Sequence, residues 1–184
     1  MQKARHRDAN SSNSRIDRDS LDTLIEWTQL VLPELDDIQA SADLHSGTYA
    51  VTLSIGAGST AIKIPLQSAS DGTIKWLAFA SMILVQGPNY SIEEPENFLH
   101  PTMQRFFVNL LRDHTGISKR TDFSLISTHS ETIINQLSPR ELVVFEFSDG
   151  KTGCRRLSNP DAVTEQINET GFGLGYYFAA NAVS

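Results

Sequence analysis

The chain has 184 residues, 40% of them hydrophobic, a net charge of −7 and one cysteine. The hydrophobic share is enough for one compact domain with a buried core. The negative balance excludes a basic field over the whole surface of the kind used to bind nucleic acid, although a local basic face is compatible with it. Cys154, standing alone, excludes an internal disulfide framework and a cysteine-based zinc site. No stretch approaches the ~20 apolar residues of a membrane helix. The start, MQKARHRDANSSNSR, lacks the apolar run of a secretory signal. The expectation is a soluble cytoplasmic protein with no membrane partner.

Residues 1–19 are polar, with Lys3, Arg5, Arg7, Arg15 and Arg18 set against Asp8, Asp17 and Asp19. They read as a disordered or linker-like start, or equally as a helix end cut out of its context. Ser20 has the chemistry of a helix N-cap, and Leu21, Leu24, Ile25, Leu30, Val31 and Leu32 keep a mostly helical period until Pro33. A second short helix is read over Glu34 to Ala40. Tyr49 to Ile55 and Thr60 to Leu66 alternate as strands, and Gly56-Ala57-Gly58-Ser59 between them reads as a hairpin turn. Ser70 to Val85 is a long helix and Asn89 to Ile92 a short buried strand. Thr102 to His114 is an amphipathic helix carrying Met103, Phe106, Phe107, Leu110 and Leu111. A strand at Phe123 to Ser127, a helix at Glu131 to Gln136 and a strand at Leu142 to Phe147 follow. Asp149-Gly150 turns the chain, Gly153 to Leu157 pairs back, and Asp161 to Glu169 is a last helix. The tail GFGLGYYFAANAVS takes no assignment. Helices alternating with short apolar strands predict an α/β sheet core flanked by helices.

Three segments carry chemistry. In YSIEEPENFLHP, from Tyr90 to Pro101, a buried strand ends in Glu93 and Glu94. Carboxylates at the end of a buried strand are costly unless a cation or a reaction uses them. Phosphoryl transfer needs both a carboxylate for magnesium and a group that positions or deprotonates the attacking water. Neighbouring residues at a strand end point in different directions, so one can face the metal and the other the phosphate. In the second segment, Gln67 to Thr73 is a small polar loop feeding a helix start, with free N–H groups, a favourable dipole and hydroxyls. The bland reading of that segment is an ordinary N-cap. In the third, Ser127-Thr128-His129-Ser130 ends a strand in small polar residues and a histidine, which is either structural or a phosphate contact.

Taken in order, these parts resemble the C-terminal half of the nucleotide-binding domain of ABC-class ATPases, in the RecF/SMC-like and OLD-like branch of the AAA family. The resemblance runs from Ser20 to the C-terminus, residues 20–184, and is strongest from Ser68 to Ser130. It implies a partial P-loop NTPase sheet preceded by an N-terminal helix and a β-hairpin. The cofactors implied are ATP and Mg²⁺. Ala69 to Thr73 would be the signature motif, with Ser70, Asp71, Gly72 and Thr73 at the γ-phosphate of ATP held by a second subunit. Glu93 would take the Walker B position at the metal, and Glu94 would be the catalytic base. Asn97 to Pro101 would form the D-loop, and His129 would be the switch histidine.

One part is missing. A P-loop requires GxxxxGKS or GxxxxGKT after a first strand, because its backbone and lysine cradle the phosphates. Gly56 to Ala61 imitates a glycine-rich loop but reads as a turn, with Lys63 inside a strand. The implied partners are therefore a half or subunit that carries Walker A, a dimer across the signature motif, and DNA by way of the complete complex. A role in DNA repair or in defence against phage and mobile elements would follow. Two other readings stand beside this one. The chain could be a non-catalytic interaction module or inactive remnant. Alternatively it could be a metal-dependent hydrolase using Glu93, Glu94, Glu96, His100 and His129.

Overall fold

A computed structural model describes residues 18–43, 47–85, 89–117 and 123–180. The linker-like reading of residues 1–19 lies outside these, except that Arg18 and Asp19 already belong to the first helix, α1 (Arg18–Gln29). Leu24 and Thr28 form the buried face of α1. The Thr28 hydroxyl donates to Leu24 O at 2.7 Å and accepts from Trp76 Nε1 at 3.3 Å, so neither buried polar group is left unpaired.

Next comes an antiparallel sheet in the order β1 (Leu35–Asp43), β2 (Thr48–Ile55), β3 (Ile62–Pro65). The predicted helix over Glu34 to Ala40 is therefore corrected to strand β1. Its apolar residues, Leu35 and Ile38, are three apart, which mimics a helical period. The pairing explains the spacing: the register shifts between Leu35 and Asp37, so Leu35 faces Ile55 while Ile38 faces Leu53. An irregularity that adds one residue puts both side chains on the buried face. The Gly56 to Ser59 turn is as expected, with Gly56 and Gly58 at φ 98° and 60°. Short 3₁₀ turns at Gly58–Thr60 and Leu66–Ser68 trim β3 at both ends.

The long helix α2 (Asp71–Val85) buries Trp76, Leu77, Ala80 and Ile83. It leads to β4 (Tyr90–Glu93), α3 (Pro101–Ile117) and β5 (Ser124–Ser127). Strands β4 and β5 are parallel, with Tyr90 opposite Ser124 and Glu93 opposite Ser127. Tyr90 and Ile92 face the core, while Ser91, Glu93, Leu125 and Ser127 face outward. The Tyr90 hydroxyl donates to Met82 O and Ile83 O at 3.3 and 3.2 Å, satisfying carbonyls of the last turn of α2. Burial pushes the pKa of that hydroxyl up.

A four-residue helix, α4 (Glu131–Ile134), then joins two apolar clusters. Ile133 belongs to the larger one, with Trp76, Ile83, Leu99 and Phe107, and Ile134 to the smaller, with Leu142, Val144, Leu157, Leu174 and Tyr177. The smaller cluster is built by the hairpin β6 (Val143–Ser148) and β7 (Lys151–Arg156), followed by α5 (Pro160–Thr170) and α6 (Leu174–Ala179). The unassigned GFGLGYYF tail supplies α6. Its glycines are explained by close approach: a Cβ on Gly173 would strike the Asn135 side chain, and one on Gly175 would lie 2.8 Å from Glu131 O. Gly175 N instead donates to Asn135 Oδ1 at 2.7 Å.

The loop from α4 to β6 is tied to α3 by Glu141. Its carboxylate accepts from Ser138 N at 2.7 Å and from Arg112 Nη2 at 3.1 Å. Burial alone would raise the Glu141 pKa, but the Ser138 N–H and the Arg112 charge outweigh it, and the pKa is lowered from its ordinary 4.5. The stabilisation is therefore complete above pH 4.5 and is lost as pH falls through the lower folded value. Glu141→Gln should melt below the parent at pH 7, by no more than ~1 kcal/mol for so exposed a pair. The gap should close in melting curves taken below pH 4.5; a gap that holds constant into acid would remove Glu141 as its source.

Candidate functional site

The site is organised around the loop that leaves β4. Glu93 and Glu94 are both exposed. Glu94 N donates to Ser127 O at 2.9 Å, the last rung of the ladder to β5. Glu94 then adopts φ 43°, which swings the chain away from the strand direction and separates the two carboxylates. Asn97 N donates to Glu94 O at 3.2 Å, and Leu99 N to Glu96 O at 3.0 Å, forming two consecutive tight turns. Phe98 also has positive φ, 68°. The Glu94 carboxylate accepts from Asn97 Nδ2 at 3.0 Å. Among the described residues the Glu93 carboxylate has no such partner.

The start of α2 packs against this loop. The Ser70 hydroxyl accepts from Thr73 N at 3.2 Å and shares a 2.9 Å hydrogen bond with Thr73 Oγ1, so Ser70 caps α2, the plainer of the two readings of this segment. Asp71 follows, exposed, in the first turn, where its charge favours the helix dipole. Gly72 lies so close to the loop that a Cβ there would be 2.7 Å from Phe98 O. Lys75 Nζ donates to Glu94 O at 3.3 Å and to Asn97 O at 2.9 Å.

The end of β5 meets the loop from the other side. His129 N donates to Glu96 Oε1 at 2.8 Å, and the His129 side chain is exposed. Glu96 Oε2 is buried without a hydrogen-bond partner. Ser130 caps α4 by accepting from Ile133 N at 3.3 Å and donates to Gln104 Oε1 at 2.6 Å. Gln104, buried on α3, donates in turn to Leu99 O at 2.8 Å. His100 Nδ1 accepts from Thr102 N at 3.3 Å and so caps α3.

The structure thus brings Ser70 to Thr73, Glu94 and His129 around one loop, from Glu94 to His100. Glu93 sits at the edge of that loop on the outward face of the sheet. Lys75, Asn97 and Gln104 hold the arrangement together; the resemblance places Asn97 in the D-loop, while nothing in the sequence singles out Lys75 or Gln104. In the sequence Glu96 is one of the acids of the metal-hydrolase alternative, and in the structure its carboxylate accepts from the His129 backbone instead. Among the described residues no group of three or more His, Cys, Asp or Glu is placed to hold a metal ion, which leaves the metal-hydrolase reading without a cluster. A single carboxylate such as Glu93 fits magnesium, which takes most of its remaining ligands from water and phosphate. The one GKT triplet, Gly150-Lys151-Thr152, lies at the β6–β7 turn, and Phe145 stands where a P-loop needs its first glycine. The Gly56 loop joins two antiparallel strands, and Lys63 Nζ donates to Gln39 Oε1 at 3.2 Å. Neither is a phosphate loop.

Comparison with solved structures supports the same architecture. The chain is similar to a structure described under ATP-driven dimerization and DNA stimulated activation of SMC ATPases. The identity is 13%, the TM-score 0.59, and the match covers 81% of this chain and 91% of that one. It is also similar to an Smc head domain with a coiled coil and joint from Pyrococcus yayanosii, at 13% identity and TM-score 0.57, covering 83% of this chain and 29% of that one. A third match is an Smc head domain from Pyrococcus furiosus bound to the C-terminal domain of ScpA, at 16% identity and TM-score 0.56, covering 81% and 37%. The chain therefore spans well under half the length of these last two proteins. Curated proteins give no match. The sequence profile of one family matches residues 5–135, more than half of the 184. The chain accordingly belongs to the family described as AAA domain, putative AbiEii toxin, Type IV TA system, and its fold is that of an ABC-class AAA ATPase-like domain.

Proposed function

We propose that this ATPase-type module forms one side of a composite ATP site and that a segment outside these 184 residues supplies the phosphate loop. The observation that carries the reading is the convergence of the α2 start, Glu94 and the His129 backbone on the Glu94 to His100 loop. Bound Mg²⁺–ATP would supply the scissile phosphoanhydride and the cation that neutralises its charge. Glu93, exposed at the strand end and without a hydrogen-bond partner among the described residues, would hold the cation. Ser70 to Thr73 would present a hydroxyl and helix N–H groups to phosphate oxygens across a dimer interface. Glu94 would accept the proton of the attacking water, and His129 would donate a hydrogen bond toward the terminal phosphate. The likeness to proteins described by ATP-driven dimerization and DNA stimulated activation supports a dimeric, DNA-responsive assembly. A part in DNA repair or in defence against phage and mobile elements is the biological extension of this reading.

The decisive experiment is nucleotide binding and turnover by the chain alone and with an added polypeptide that carries the Walker A half of such a domain. Weak binding alone and turnover on mixing are expected; strong turnover by the isolated chain, or none on mixing, would overturn the composite site. The missing GxxxxGKS or GxxxxGKT pattern also favours a second reading, in which the α2 start docks on another ATPase without catalysis here. Under either reading Ser70→Arg, which puts a long cation at the exposed start of α2, should reduce partner association or activity at least tenfold, about 1.4 kcal/mol. Unchanged association and activity would remove the α2 start from the interface.

A further inference from the structure

Two residues of the site loop, Glu94 and Phe98, hold left-handed backbone without being glycine. Such conformations are strained for residues with a side chain and persist only where the surroundings impose them. The surroundings here are one stripe of α2. Gly72, Lys75 and Phe79 are spaced by three and four residues and so share a helix face. Gly72 lets the Phe98 carbonyl come close, and the Lys75 ammonium stands 5.4 Å from the centroid of the Phe79 ring. From there the ammonium donates to Glu94 O and Asn97 O, the two ends of the four-residue turn Glu94-Pro95-Glu96-Asn97. The Glu94 carboxylate is held inside the same turn by Asn97 Nδ2. Two exposed carboxylates are adjacent in sequence at Glu93 and Glu94, yet this lysine donates to the backbone carbonyls of Glu94 and Asn97.

We propose that Lys75 is the positioning residue for Glu94. It ties the turn that aims the Glu94 carboxylate to the helix that begins at Ser70. A displacement of that helix start is then transmitted to the Glu94 backbone through this ammonium group, beside the Gly72–Phe98 contact. The catalytic meaning of this link rests on the reading of Glu94 as the base, whereas the geometric claim does not.

The test uses Lys75→Met, which keeps the stem over Phe79 and deletes the donors, and Lys75→Arg, which restores them. Amide hydrogen exchange at Asn97 and Leu99 reads the two turns, and the amides of Leu77, Ala80 and Ile83 read the helix. In Lys75→Met the Asn97 and Leu99 amides should exchange about tenfold faster or more, as expected for loss of a charged hydrogen bond. The helix amides should be unaffected, and Lys75→Arg should recover most of the protection. Unchanged exchange at Asn97 and Leu99 would overturn the proposal. So would an equal rise along α2, which would make Lys75 merely structural. In the assembled ATPase Lys75→Met should lower kcat with nucleotide affinity retained. If the parent assembly shows no turnover, the composite site fails while the exchange data still decide the role of Lys75.

Discussion

Glu94→Gln is expected to stop ATP turnover by the assembled ATPase, lowering kcat by about 10²- to 10⁴-fold, the range associated with a positioned general base. Nucleotide binding and melting temperature should stay in place. The reason is local. Glutamine has nearly the same shape and still offers an oxygen to Asn97 Nδ2, now 3.0 Å from a Glu94 carboxylate oxygen. Lys75 and Ser127 engage only the Glu94 backbone, so those contacts are indifferent to the change. What is lost is the ability to take a proton. Steady-state turnover with a parallel nucleotide-binding measurement separates the possibilities. Unchanged turnover would exclude Glu94 as the base, and lost binding would make it a structural acid.

Gly72→Ala is expected to destabilise the protein and to disable the site together. Elsewhere in a helix the exchange is favourable, because alanine is the better helix former by about 1 kcal/mol. Here the added methyl would stand 2.7 Å from Phe98 O, a backbone atom that cannot rotate aside. Relief requires moving α2 away from the loop, and overpacking of this kind costs about 1–3 kcal/mol. The clash should win. In a chain of this size each kcal/mol lowers the melting temperature by roughly 2–4 °C. Lys75 would move with α2, so the Glu94 turn should loosen as well. A variant as stable as the parent, or more so, would show that α2 and the loop are farther apart than described.

The α/β class, the existence of strands β4 and β5 and the order of the site segments were legible because each rests on a local signal, whereas the parallel pairing of β4 with β5 came only with the structure. Short apolar runs end in charged or small polar residues, and Ser70 precedes a helical period. β1 was not legible. The irregularity between Leu35 and Asp37 moves its buried residues from an even to an odd spacing, and periodicity then points to a helix. The GFGLGYYF tail failed for a different reason. Its glycines answer to Asn135 and Glu131, about forty residues earlier, and no local rule reports that contact. Lys75 illustrates the limit within the site. On a helix it reads as any solvent-facing lysine, and its partners are carbonyls exposed by positive φ at Glu94 and Phe98, which side-chain patterns do not reveal. The same holds for Gln104, whose two bonds reach Leu99 and Ser130.

The shortness of α4 has a mechanical consequence. It starts directly after Ser130, which caps it, and within its four residues it reaches from the larger cluster at Ile133 to the smaller at Ile134. A longer helix could bend or slide a little and absorb a displacement along its length. This one has a single turn, fixed at one end by Gln104 and at the other by Asn135 against Gly175. Its one turn is shared between both clusters, so a displacement of α6 would bear on a segment that begins at Ser130, next to His129 in the chain.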